Sequence, residues 1–140
     1  MKGITQFIVT SLVLAFSLGI FSSQLFAQQE RSLIADKGGK FHVNSSVLVG
    51  TTLLKSGMYK VQHVMEGNDH VIIFRVIRMN QYKNAMGNER LGEELARVRC
   101  TTEPADRKWK HTKLLVVRNA SGQKVVAEVQ IAGENVLHRL

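Results

Sequence analysis

The segment from Met58 to Met79 constrains the fold more than any other. Apolar and polar residues alternate on both sides of Glu66-Gly67-Asn68-Asp69. Gly67 and Asn68 are the residue types that accept the positive φ values of a tight hairpin turn. With those two as the loop, Val61 falls opposite Phe74, Tyr59 opposite Val76 and His63 opposite Ile72, while Lys60 meets Arg75 and Gln62 meets Ile73 on the other face. One face is apolar and the other partly wet, as an antiparallel sheet over a core requires.

A second hairpin is expected from Thr112 to Ile131 around Asn119-Ala120-Ser121-Gly122. Pairing Arg118 with Gln123 sets Leu114 and Val116 opposite Ala127 and Val125 inside, and Lys113 opposite Glu128 outside. Further strands are expected over Lys40 to Ser45, Val47 to Lys55, Leu95 to Thr102 and Val136 to Leu140. Abundant Val, Ile and Thr, and a single Pro in the chain, agree with this. The expected fold is all-β, a single antiparallel β-sandwich or up-and-down barrel of about eight strands spanning residues 40–140. Val61, Phe74, Val98, Val116, Val125 and Val129 are its expected core. The polar stretch 82–94, with Gly87 and Gly92, reads as a long loop, and residues 28–39 as a flexible arm in which Leu33 to Ala35 can dock as a short turn.

Residues 1–27 read as a secretory signal peptide, an N-terminal signal helix ahead of the β domain. Lys2 supplies the charge, Phe7 to Phe21 is an unbroken run without charge, and Ser22 to Ala27 is a cleavage region. The expected product begins at Gln28 and is exported, to the periplasm or the extracellular space. Leu25 stands where a small side chain is preferred, so the alternative is an uncleaved anchor, the only expected link to a membrane. At ~1.5 Å per residue the run spans about 22 Å, short of a hydrocarbon core of roughly 30 Å.

The pattern Val47-x-Val49-Gly50-x-Thr52-x-Leu54-x-x-Gly57-x-Tyr59-x-Val61, preceded by Phe41-x-Val43, resembles a family of small exported β-rich proteins of unassigned function from Acidobacteria-type genomes. The resemblance is best over residues 41–61. It implies a strand, a turn eased by Gly57 and a second strand, and it carries a fold without a chemistry.

Catalytic motifs are missing. Gly87 and Gly92 have the spacing of a phosphate-cradling loop, but Glu93 and Glu94 follow where Lys and Ser or Thr are needed, and carboxylates repel phosphate. There is no nucleophile elbow, zinc-protease helix, dinucleotide fingerprint or calcium loop. No catalytic residue, cofactor or metal ligand set is assigned from the sequence. Of the five histidines, His63 and His70 flank one turn as diagonal neighbours on a face shared with Met65, a set that would suit copper. Without a third firm ligand they read as the polar end of a half-buried hairpin. Cys100, the only cysteine, allows no intrachain disulfide, and alternation with Ala96 and Val98 points to a buried, inert thiol.

The charge balance is the remaining functional signal. The formal net charge is +8, or +7 without Lys2, which favours anionic partners such as acidic polysaccharide or glycolipid over a solvated surface with no partner only where the charges concentrate. They do so once, in Arg107, Lys108, Lys110 and Lys113 around Trp109, directly after Pro104. These five residues form the expected anion-binding segment, on a surface loop. Four of the six Phe precede residue 28; the rest of the chain is too poor in aromatics for a nucleic-acid stacking platform, and no specific nucleic acid is expected. The function class expected is an exported, non-enzymatic binding or structural module at the cell envelope. A small-ligand carrier with a β-barrel pocket is the alternative, followed by an enzyme of unrecognised type.

Overall fold

The computed structural model describes residues 31–79 and 89–140; the expected leader and residues 82–88 of the expected loop lie outside them. The described residues form ten strands: β1 Arg31–Ile34, β2 Lys40–Val43, β3 Val47–Val49, β4 Thr52–Leu54, β5 Gly57–Glu66, β6 Asp69–Met79, β7 Glu89–Pro104, β8 Lys113–Arg118, β9 Lys124–Gln130 and β10 Val136–Arg139. Eight follow one hydrogen-bonded path, β1-β8-β9-β10-β7-β6-β5-β2, a nearly closed antiparallel barrel. The order is not a simple up-and-down walk. Two meanders, β5-β6-β7 and β8-β9-β10, are joined where β10 pairs with β7, so the chain must cross one end of the barrel between β7 and β8. The small β3-β4 hairpin stands off this path and touches β9 through a parallel bridge, Leu48 to Val125.

The β5-β6 pairing has the register expected from the Gly67-Asn68 turn, residue for residue from Tyr59–Val76 to Glu66–Asp69. Its inner face supplies Tyr59, Val61, Ile72 and Phe74 to the core, joined by Phe41, Val43, Leu54, Leu114, Val126 and Val129. Phe74 is fully buried and takes the edge of Phe41 at 6.1 Å; burying a side chain of this size contributes roughly 1.5–3 kcal/mol.

Of the expected arm, residues 28–30 lie outside the described residues, and the structure departs from expectation over 31–39. Arg31–Ile34 pairs with β8, and Ala35 is buried. Without β1 the outer edge of β8 would present unpaired backbone groups, and a four-residue strand suffices to cover it. The turn after β1 is fastened by Asp36, whose Oδ1 accepts the amides of Gly38 and Lys40 at 2.8 and 2.9 Å. Gly39 next to it has φ +79°, and a Cβ there would fall 2.6 Å from the carbonyl oxygen of Val61, so this position needs glycine.

Two further strands differ from expectation. Val47 to Lys55 is a hairpin instead of one strand, because Gly50 (φ +56°) reverses the chain. β7 begins at Glu89, so the second half of the expected loop is sheet, paired with the far end of β6 across register shifts near Arg75.

The second hairpin is displaced. Asn119 and Gln123 close the turn through Asn119 N to Gln123 O at 2.9 Å, and Asn119 Oδ1 takes the amides of Ser121 and Gln123. Arg118 therefore pairs with Lys124, and a bulge between Leu115 and Val116 brings Leu114 opposite Val129. Lys113 lies opposite Gln130 and not Glu128. Val126, in place of Val125, turns inward beside Val129. Of the expected core, Val61, Phe74, Val116 and Val129 are buried, while Val98 and Val125 are only partly so.

Candidate functional site

The barrel end that carries the β5-β6 turn also carries the β7-β8 crossover and the β9-β10 turn, and two groups of polar side chains collect there. The first is a layer inside the wall. Interior alternation runs Tyr59, Val61, His63 on β5 and Phe74, Ile72, His70 on β6, so on both strands the inward row reaches a histidine near the turn. His70 lies opposite Cys100 on β7, and His138 on β10 lies opposite Thr102 of β7 and Val129 of β9. Four neighbouring strands each contribute one residue to this layer. The rings of His63 and His70 are 5.0 Å apart and nearly parallel, and that of His138 is 4.3 Å from His63 and 5.9 Å from His70.

Glu134, from the β9-β10 turn, joins the layer. Its Oε1 is 2.8 Å from His63 Nδ1 and its Oε2 is 2.7 Å from His138 Nε2. A carboxylate only accepts, so it selects the tautomers that carry the proton on those two nitrogens. His63 Nε2 is then a bare acceptor for His70 Nδ1–H at 2.9 Å. His138 Nδ1 is bare as well, with Cys100 Sγ 3.5 Å away.

Burial pushes the pKa of the fully buried His138 below the ordinary imidazole value, against the pull of Glu134. Burial works the other way on Glu134, yet its bonds to His138 and His63 hold its carboxyl below the usual range. Cys100 is half-buried against the core, and burial together with the Glu134 charge pushes its thiol up. The order Cys100, His138, Glu134 is that of a nucleophile, base and orienting acid, but a thiol held protonated and donating to the His70 carbonyl at 3.4 Å lacks the activation such a relay needs.

The second group is the crossover itself. Trp109 ties it down: its amide donates to Glu134 O at 2.9 Å, its carbonyl accepts from Gly133 at 2.9 Å, and its indole Nε1–H donates to Val136 O at 2.7 Å. With the indole edge fastened, Arg107, Lys108, Lys110 and His111 stand exposed, and Lys113 half-buried, around a hollow of about 310 Å³ that Gln130 and Trp109 complete. All five residues expected to bind anions thus line one hollow. Among the described residues none of its four Lys and Arg side chains is ion-paired. The contrast with the outer face of β5-β6-β7 is plain, where Arg97 bridges Glu66 and Glu94, Arg78 meets Glu93, and Arg99 meets Asp69. Acidic residues do occur on the other side of Arg107 and Trp109, which also line an adjoining hollow with Glu103 and Asp106.

Sequence reading paired His63 with His70, left His138 as one of five histidines able to gather in space without singling it out, and missed Glu134. Alternation with Val136 and Leu140 places His138 on one face of the last strand, but nothing local says that this strand lies beside β7. Met65 is opposite His70 yet exposed, and His42 and His111 are exposed away from the layer. No family model, curated protein or solved structure matches the chain.

Proposed function

We propose that this protein is an exported, non-enzymatic binding module of the cell envelope, of the small β-rich kind its residues 41–61 resemble, and that its crossover segment takes an anionic partner. One observation carries the reading. Arg107, Lys108, Lys110 and Lys113 converge on one hollow that no carboxylate lines, and none of them is ion-paired among the described residues, on a segment that Trp109 holds in place. Unpaired cations held close together raise the local concentration of anions and make binding sensitive to salt. Phosphate, sulfate or carboxylate groups on a polysaccharide or glycolipid supply the complementary charge.

The carrier alternative finds less support, since Phe41, Leu54, Tyr59, Phe74 and Leu114 fill the barrel interior where a ligand would sit. The test is binding to a sulfated polysaccharide and to vesicles carrying phosphorylated glycolipid. Binding is expected to be weak and to lose most of its strength as ionic strength passes about 0.15 M, where the screening length is ~8 Å. Changing Arg107, Lys108 and Lys110 to Ser is expected to abolish it, while changing Lys37, Lys55 and Arg90 to Ser spares it. Equal losses in the two triple variants would assign binding to bulk charge and end this reading.

A further inference from the structure

We propose that His63, His70 and His138 form a binding site for one borderline transition-metal ion, of the Zn(II) or Cu(II) class, with Glu134 as the residue that orients two of the three rings. One ring nitrogen from each histidine lies within 4.8 Å of the other two. A tetrahedral ion with nitrogen ligands at about 2.0–2.1 Å sets those nitrogens about 3.3 Å apart, so small ring rotations complete the site. The ligands come from three sheet strands, β5, β6 and β10, whose spacing the barrel fixes, and from no flexible loop.

The hydrogen bonds favour a metal site over a purely structural cluster. Glu134 accepts from His63 Nδ1 and His138 Nε2, which leaves His63 Nε2 and His138 Nδ1 unprotonated, the first accepting from His70 Nδ1 at 2.9 Å. A carboxylate behind a histidine is the arrangement that fixes ring orientation and raises ligand basicity at metal centres. Only His70 has to move its proton, from Nδ1 to Nε2, when the ion replaces the 2.9 Å contact with His63. Three imidazoles select borderline ions; calcium and magnesium prefer oxygen. The site is independent of the crossover cations, although both hang on the turn that carries Glu134.

The test uses the full chain without an affinity histidine tag, stripped with chelator and titrated with Zn(II) or Cu(II) against a chromophoric competitor. One equivalent is expected to bind. His63→Ala and His70→Ala, at partly exposed positions, are expected to weaken binding by at least about 100-fold while keeping a β-type circular dichroism spectrum. The double variant His42→Asn/His111→Asn retains all three ligands and is expected to bind as the parent does, as is the Arg107/Lys108/Lys110 triple Ser variant. Binding that survives in His63→Ala and His70→Ala, or a parent that binds no tighter than they do, overturns the proposal without touching the anion-binding reading.

Discussion

The inside of the barrel has two regions built by the same alternation and filled with opposite chemistry. Through most of its length the inward positions carry Phe41, Tyr59, Val61, Ile72 and Phe74. At the crossover end the next inward positions on the same strands carry His63 and His70, which meet His138, Cys100 and Glu134. The apolar region is stabilised by packing, which tolerates hydrophobic exchange when volume is kept. The histidine region depends on proton placement, because each buried ring nitrogen and carboxylate oxygen needs a partner of the right kind. Every buried side-chain nitrogen and oxygen among the described residues has one. A strand pattern therefore reports which way a side chain points and not what it does when it arrives.

The largest effect is expected in the apolar region. Val129 is fully buried opposite Leu114, so Val129→Asp places an unpaired carboxylate in the core and is expected to lower unfolding free energy by about 4 kcal/mol or more. Val125 pairs with Val117 and is only partly buried, so Val125→Asp is expected to cost far less. Denaturant unfolding of both variants checks the bulge at Leu115 and Val116. Equal losses would mean that the strand keeps strict alternation after all.

At the histidine end the corresponding change is Glu134→Gln. An amide can accept from only one of His63 and His138, so the other ring must turn or change tautomer. Metal affinity is expected to fall 10- to 100-fold, about 1.4–2.8 kcal/mol, with little loss of metal-free stability by comparison with Val129→Asp. Competition titration and denaturant unfolding on the same variant separate the two regions.

Acid should discriminate between them as well. His138 has a depressed pKa in the folded state, chiefly through burial, and meets the Glu134 carboxylate, the His63 and His70 rings and the Cys100 thiol. Such a group favours the folded state above its unfolded value and loses that contribution as pH falls. The chelator-treated protein is expected to be most stable above the ordinary imidazole value of 6.5, to weaken below it, and to weaken again below 4.5 as Glu134, also depressed, takes up a proton. Stability unchanged between about pH 7.5 and 5.5 would show that folding does not shift the His138 pKa, and stability that rises over that range would show that the folded state favours its charged form.

How much of this was legible follows from which contacts are local. Gly67 and Asn68 set the β5-β6 register, and with it the diagonal placement of His63 and His70, from within one hairpin. The β8-β9 hairpin was misread because Asn119 lengthens the turn by one residue and the bulge then shifts the strand again; neither feature leaves a mark in an apolar pattern. The third histidine was out of reach for another reason. His138 sits beside Thr102 only because β10 docks on β7, a pairing between distant parts of the chain. The crossover cations were legible as a cluster because they lie within seven residues of chain, and their lack of ion pairs was not.

The smallest expected effect tests that hairpin most directly. In the register expected from sequence, Lys113 faces Glu128 and gains a surface ion pair. In the structure it lies opposite Gln130, and Glu128 instead has Arg139 3.6 Å away. Lys113→Ala then removes no partner and relieves repulsion from Arg107, Lys108 and Lys110, so it is expected to change stability by less than about 0.5 kcal/mol, with any salt-sensitive part a gain at low salt. An exposed ion pair would instead give a loss of up to about 1 kcal/mol that shrinks as salt is added. Measuring the variant at low and high ionic strength decides between these registers. A loss that salt abolishes would place Lys113 back against Glu128, and would require Leu114 and Val129 to part.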